Sequence, residues 1–432
     1  MVMTDAVPRA RRQLSRASGF WLAGATVLLL LAASSAPSPL YVVYQQRFGF
    51  SPATLTAVFG IYALTLLAAL LTVGGLSDHL GRRPVLIAAL LLEALGMLVF
   101  LSAQGVGTLL LARALQGFAT GAATATASAV LVDLQPDLDP RRGALVTSVA
   151  SSLGLAAGAL GSGLLVQFAP APTTVVFVVL AVTFVVLAAV LRLLPESVTA
   201  RPGALASLRP RLSVPPHARR DFVATTPVLV ATWAMGGLYL SLGPSVSASV
   251  LQLRSHLTGA LVVVAFTASG AVTAALCRDA APRRSMLAGS AALAAGTLVT
   301  LLALETRSAP AFFVGTAVAG AGFGPAFLGA FRSLALLATP EQRAELLAAV
   351  YIVSYLAFSI PAVVAGRLVT PVGLRAVAMA YAGAVTALAL IALLPAVASA
   401  ARSRRASAVC QDVGREDVGR EGVGRDRQPM SR

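Results

Sequence analysis

Twelve apolar runs, each long enough to cross a bilayer, limit what this chain can become. A helix needs ~20 mainly apolar residues to traverse ~30 Å of hydrocarbon. Such runs lie near residues 20–44, 52–76, 84–103, 107–132, 144–168 and 172–194, and again near 222–248, 257–277, 285–304, 309–335, 345–368 and 374–397. Inside hydrocarbon the backbone has no water to bond, so a run of this length satisfies its own amides only as a helix. The expectation is an all-α membrane protein with twelve transmembrane helices. Composition agrees. The chain is 57% hydrophobic and 12% charged, whereas soluble domains are about 25% charged, and so apolar a chain could not cover a water-facing surface.

The formal net charge of +16 comes from 33 basic residues, every one an arginine. Twelve spans place both termini on one face. The N-tail, the loops around Arg82–Arg83, Arg141–Arg142, Arg192–Arg220, Arg278–Arg284 and Arg332–Arg343, and the C-tail hold 27 arginines. The opposite loops hold five (Arg47, Arg254, Arg307, Arg367 and Arg375), and Arg113 lies within a span. The positive-inside rule then predicts a multi-pass protein of the inner (plasma) membrane with both ends cytoplasmic. Arginines in short loops and tails are what topology requires, so no nucleic-acid partner is expected. Arg9, Arg11, Arg12 and Arg16 precede an apolar run too long for the core of a cleavable signal, so the amino end reads as a cytoplasmic tail.

The segment Pro195–Asp221 has five prolines and five arginines and reads as a cytoplasmic linker. It divides the chain into a tail (1–18), a six-helix bundle (19–194), the linker (195–221), a second bundle (222–397) and a polar tail (398–432). That last tail carries a five-residue QDVGR-EDVGR-EGVGR repeat and no core-forming composition, so it reads as disordered. An internal repeat supports the division. GGLSDHLGRRPVL (74–86) and ALCRDAAPRRSML (275–287) align at one offset, matching Asp78 with Asp279 and Arg82–Arg83 with Arg283–Arg284. Parallel repeats about an axis along the membrane normal are a transporter architecture.

Gly74, Leu76, Asp78, Gly81, Arg82 and Arg83 fill the pattern Gly-x-Leu-small-Asp-x-x-Gly-Arg-Arg between the second and third spans. This segment resembles the loop signature of the major facilitator superfamily. The resemblance implies two six-helix halves related by pseudo-two-fold symmetry, with spans 1, 4, 7 and 10 lining a central cavity. Physically, Gly81 suits a tight turn, and Asp78 suits a neighbouring helix N-terminus, where the dipole favours an anion. Arg82 and Arg83 suit carboxylates at helix ends, with Asp133 the expected partner. Gly74, Asp78, Gly81, Arg82, Arg83 and Asp133 are therefore expected to form a conformational latch.

Arg113, Gln116, Gly117 and Gly121 resemble the family's second motif. An arginine inside a span costs several kcal/mol unless partnered, which makes Arg113 a functional candidate. Glu93 is the one carboxylate at mid-membrane by sequence count, and burial disfavours the charged form of such a group. Arg113 and Glu93 are the candidates for proton coupling. Gly154, Gly158 and Gly163 resemble the glycine motif of the family's exporters, although Ala159 replaces its proline and Ser162 one glycine. Cavity candidates on the central and flanking spans are Ser34, Ser38, Tyr41, Gln116, Thr120, Trp233, Tyr239, Phe323, Phe327, Tyr351 and Tyr355. Together they describe an apolar, aromatic, charge-poor pocket.

Other classes fit less well. Cys277 and Cys410 give no metal spacing, and His79, His217 and His256 are scattered, so neither an enzyme nor a cofactor is expected. Without lysine the phosphate-binding GxxxxGK[ST] loop of an ATP-driven pump cannot exist. The expected function is secondary active transport, with proton-coupled efflux of small hydrophobic or amphipathic compounds leading. Movement of a small uncharged, sugar-like metabolite by the same fold is the alternative. The expected partners are the lipid bilayer, a small-molecule substrate and protons, with the chain working as a monomer.

Overall fold

The computed structural model describes residues 13–136, 142–210, 212–253 and 255–394. Among them are twelve helices long and apolar enough to cross a membrane. Spans 1 to 6 are Arg16–Phe48, Pro52–Thr72, Arg82–Leu101, Val106–Leu134, Arg142–Phe168 and Pro172–Leu193. Spans 7 to 12 are Pro216–Ser241, Leu257–Leu276, Pro282–Thr306, Ala309–Ala335, Gln342–Val372 and Leu374–Leu394. No strand occurs among the described residues. The carboxy-terminal tail expected to be disordered lies outside them, as do the first twelve residues.

Local chemistry sets the ends. Ser15 caps span 1 by accepting from the Ser18 amide, and Ser51 does the same for Thr54 at span 2. Pro52, Pro172 and Pro282 stand in the first turn, where a missing N–H costs nothing. Two spans depart from the continuous runs the sequence suggests. Span 1 breaks at Ala36, and a second helix runs Pro37–Phe48. Span 7 stops at Ser241 and a short helix, Gly243–Ser249, continues it. Each break lies within two residues before a Pro-Ser pair, Pro37-Ser38 and Pro244-Ser245, and proline cannot donate into the preceding turn. Pro216 already opens span 7, and before it lies only a single turn of helix, Ala204–Ser207.

Within the first half, span 4 packs on spans 2 and 3, span 5 on span 1, and span 3 on span 6. The second half repeats this, with span 10 on spans 8 and 9 and span 11 on span 7. Lipid supplies no hydrophobic drive for helix association, so close backbone approach has to. A Cβ on Gly117 or Gly121 would collide with the Tyr62 and Leu66 carbonyls of span 2, and one on Gly320 or Gly324 with the Phe266 and Gly270 carbonyls of span 8. The same small-residue contact is thus built twice, once per half.

Spans 5 and 8, and spans 2 and 11, join the halves. Their close contacts lie toward the end away from the linker. Gly163 abuts Ala260, Gly366 abuts Thr56, Gly60 abuts Val363, and Ser255 donates to Gln167 at 3.1 Å. Leucines and valines cover the outer surface, as on span 3, where Leu91, Leu95 and Leu98 are exposed while Leu90, Glu93 and Met97 are buried.

Candidate functional site

The break in span 1 creates the first part of the site. Pro37 has no N–H, so the Ala33 carbonyl four residues earlier loses its helical donor. Gln116 Nε2 of span 4 takes its place at 2.9 Å. One turn away on span 4, Arg113 Nη1 donates to the Ser34 carbonyl at 3.1 Å and to Gln116 Oε1 at 2.6 Å. The guanidinium lies 4.5 Å from the Tyr62 ring centre and 5.6 Å from that of Tyr41, an aromatic clamp on a cation. Tyr62 also donates from its hydroxyl to Ser34 Oγ at 2.6 Å.

Glu93 enters from span 3. It is 0% exposed and faces Arg113, Gln116 and Thr120. Its Oε2 accepts from the Thr120 hydroxyl at 3.3 Å, and its Oε1 has no protein partner. No ion pair joins it to Arg113, which is 1% exposed. The two side chains therefore share a buried compartment with Gln116 between them rather than in direct contact.

The second half contributes aromatic rings and no buried charge among its described residues. Trp233 of span 7 meets Phe327 of span 10 at 5.3 Å and Tyr355 and Phe358 of span 11 at 4.8 and 5.9 Å. Tyr351 extends the surface, 6.3 Å from Tyr355 and 6.1 Å from Phe331. These rings stay partly accessible on spans that face one another, so they form a wall. The Trp233 Nε1 has no protein partner. Phe358 reaches across the seam to Phe59 of span 2 at 4.8 Å.

The latch residues lie at the linker end. Arg82 pairs with Asp78 and, through Nε, with Asp133 Oδ2 at 3.0 Å. Gly81 has φ +98, a conformation that favours glycine. Asp78 does not cap the span 3 N-terminus, because the Arg82 guanidinium one turn on occupies it. Glu196 caps it instead, accepting from the Arg82 and Arg83 amides at 2.7 and 3.0 Å. Arg83 sends its guanidinium to the Arg192 carbonyl rather than to a carboxylate. Gly74 sits in the turn closing span 2. All these partners belong to the first half or the start of the linker. In the repeat copy Asp279 pairs, among the described residues, with its neighbour Arg278 at the surface, and Arg332 donates to the Arg278 carbonyl.

The structure thus brings Ser34, Tyr41, Gln116, Thr120, Arg113 and Glu93 together, and separately Trp233, Phe327, Tyr351 and Tyr355. Ser38 is buried one turn before Tyr41, with no partner for its hydroxyl. Phe323 packs on Phe266 at 5.2 Å. Tyr239 lies inside the second bundle, its hydroxyl 2.9 Å from that of Thr300 and its ring against Phe266 and Phe312. Gly154 and Gly158 abut the Leu28 and Ala32 carbonyls of span 1. Sequence reasoning missed Tyr62, Glu196 and Ser197, whose hydroxyl donates to Asp133 Oδ2 at 2.7 Å. The signals were a lone phenol in the apolar run of span 2 and an acid three residues past the end of span 6.

The family model for the Major Facilitator Superfamily matches residues 22–279. The chain belongs to that superfamily. It is 32% identical over 108 residues to the multidrug resistance protein MdtL of Shewanella oneidensis, covering 25% of this chain and 26% of MdtL. It is 34% identical over 97 residues to the inner membrane transport protein YajR of Escherichia coli K12, covering 22% of this chain and 21% of YajR. The chain thus matches about a quarter of the length of these relatives or less. Among solved superfamily structures, a bacterial homologue of the human lysosomal transporter Spinster, inward-facing and occupied, superposes with TM-score 0.68 at 12% identity, over 88% of this chain and 96% of that one. The human organic anion transporter MFSD10 gives 0.62 at 18% identity, over 88% and 100%. At such identities the likeness is one of fold.

Proposed function

We propose that this protein exports small hydrophobic or amphipathic compounds in exchange for protons, by alternating access between its two halves. One observation carries the reading: an aromatic wall without charge on spans 7, 10 and 11 stands across from a wholly buried Glu93–Arg113 cluster. A ligand that meets rings, one indole N–H and the Tyr351 and Tyr355 phenols, with no charge among them, is apolar or amphipathic, because a phosphate or dicarboxylate would demand paired cations. A lone carboxyl in a buried compartment is the group a proton gradient can address, since its charged and neutral forms differ most in cost there. The likeness to a stretch of MdtL, a multidrug resistance protein, points the same way.

In this reading residues 19–194 and 222–397 are the two moving bodies, and 195–221 is their cytoplasmic connector. The arginine asymmetry sets both termini in the cytoplasm of a plasma-membrane protein. Seam contacts at the far end then make this the conformation closed to the outside. Arg82, Asp78 and Asp133, with Gly74, Gly81 and Arg83, hold the inner ends of spans 2 to 4 as one piece, which Glu196 and Ser197 tie to the connector.

The test is flux in proteoliposomes holding the protein as a monomer. A panel of neutral, cationic and anionic aromatic compounds is offered with and without an imposed pH gradient. Gradient-driven movement of apolar or amphipathic members supports the reading. Flux that ignores the gradient, or is confined to sugars, overturns it.

A further inference from the structure

Tyr62 meets four groups of its own half at once. Its ring lies 4.5 Å from the Arg113 guanidinium carbon. Its hydroxyl donates to Ser34 Oγ at 2.6 Å, and Glu93 and Thr120 face the same phenol. From the other half, span 11 packs on span 2, where Phe358 meets Phe59 at 4.8 Å one turn from Tyr62, and one turn before Phe358 the Tyr355 ring lies 4.8 Å from Trp233. The backbone at Tyr62 is held, because Gly117 abuts its carbonyl. Any response to charge is therefore made by the side chain.

The pseudo-symmetric position shows what the hydroxyl is for. Gly320 abuts the Phe266 carbonyl as Gly117 abuts that of Tyr62. Phe266 keeps the ring and lacks the hydroxyl, and its half has no buried charge among the described residues. Packing at this place in the fold needs an aromatic ring only. The phenol oxygen occurs where the charged cluster occurs.

We propose that Tyr62 is a positioning residue that transmits the protonation state of Glu93 to the aromatic wall. The inference rests on Glu93 being the proton site. When a proton forms an O–H bond on the Glu93 carboxylate, the negative charge disappears and Arg113 loses its counter-charge. The groups left facing the guanidinium are the rings of Tyr41 from span 1 and Tyr62 from span 2, with the Gln116 and Ser34 oxygens. The cation settles more firmly on those rings. The Tyr62 phenol shifts with it against Tyr355, and Tyr355 moves against Trp233. Ionisation of Glu93 reverses each step.

The test needs no transported compound. The chain has two tryptophans, Trp21 and Trp233, so Trp21→Phe leaves Trp233 as the reporter of the wall. In lipid nanodiscs, Trp233 emission and the infrared carboxyl band that Glu93→Gln removes are followed against pH. The expected result is that emission tracks the band in the Trp21→Phe background and stops responding in Glu93→Gln. Adding Tyr62→Phe leaves the band titrating and cuts the emission change at least about threefold, the scale of one lost hydrogen bond. Tyr355→Phe, which leaves the first half intact, does the same and serves if Tyr62→Phe fails to fold. A full emission change in these variants, or emission that ignores pH while the band titrates, overturns the role of Tyr62 and leaves the proton site standing. A wild-type protein with no titrating band that Glu93→Gln removes overturns both.

Discussion

Gln116 Nε2 donates to the Ala33 carbonyl at 2.9 Å, and that acceptor is open because Pro37 cannot fill it. A sequence-local event in span 1 thus fixes a side chain of span 4, and Gln116 in turn holds Arg113. The arginine is affordable inside the bilayer only through such partners, since an unpaired one costs about 2.5–3.5 kcal/mol on insertion scales.

That dependence is measurable. Gln116→Leu is expected to destabilise the protein by about 1–3 kcal/mol, because it leaves two buried groups without partners. In a Pro37→Ala background the new amide at 37 bonds the Ala33 carbonyl, and the cost of Gln116→Leu should fall by roughly 1 kcal/mol in a double-mutant cycle. Unfolding midpoints in detergent give the four values. Equal costs in both backgrounds would show that proline and glutamine act independently.

Glu93→Gln fixes the neutral state of the one buried carboxyl among the described residues at every pH. Flux driven by a substrate gradient alone should persist, whereas the response to an imposed pH gradient should vanish. Retained gradient dependence, measured in the same vesicles, excludes Glu93 as the coupling group.

Asp133 accepts from both Arg82 Nε at 3.0 Å and Ser197 Oγ at 2.7 Å, so it joins span 3, span 4 and the connector. Asp78 holds Arg82 alone and is more exposed. Both Asp78→Asn and Asp133→Asn should insert normally and transport several-fold more slowly, with Asp133→Asn the worse of the two. Wild-type flux from both would remove the latch from the mechanism.

The spans were legible because hydrocarbon leaves a backbone one option, and their number follows from length and hydropathy alone. Arg113, Gln116 and Glu93 stood out because a polar group in an apolar run is costly. The partners were harder. Nothing in the spacing of span 2 says that Tyr62 faces Arg113, because rotation about a helix that is apolar all round is set by its neighbours and not by its own pattern. Tyr239 shows the converse: a phenol on a cavity-lining span that turns inward to Thr300. Glu196 was hidden by its place in a segment that reads as a loop. Capping needs only a carboxylate within reach, and reach is a property of the folded chain.

The hydroxyls of Ser38, Tyr41 and Tyr44 are buried one helical turn apart without protein partners. A buried unpaired polar group costs about 1–3 kcal/mol, and removing it where nothing is bonded is neutral or stabilising. Tyr44→Phe is therefore expected to raise the unfolding midpoint and to favour the conformation closed at the far end. Cross-linking of cysteines placed at Gln167 and Ser255 reads the second effect. A lowered midpoint would mean that the Tyr44 hydroxyl is satisfied after all.

The duplicated contact between spans 4 and 2 and spans 10 and 8 gives a test of the repeat itself. Gly117 and Gly320 occupy matching places, each against a backbone carbonyl that cannot move without its helix. Alanine normally improves a helix by about 1 kcal/mol over glycine, and Gly383, with nothing within 4 Å of its missing Cβ, should show that gain. Gly117→Ala and Gly320→Ala should instead each lose about 1–3 kcal/mol by overpacking. The functional consequences should differ even though the packing is alike. Gly117→Ala displaces Tyr62 beneath Arg113 and should weaken the pH response, whereas Gly320→Ala displaces Phe266, which touches no buried charge. Equal loss of pH response in both variants, read from gradient-driven flux, would mean that coupling is spread over both halves instead of residing in the first.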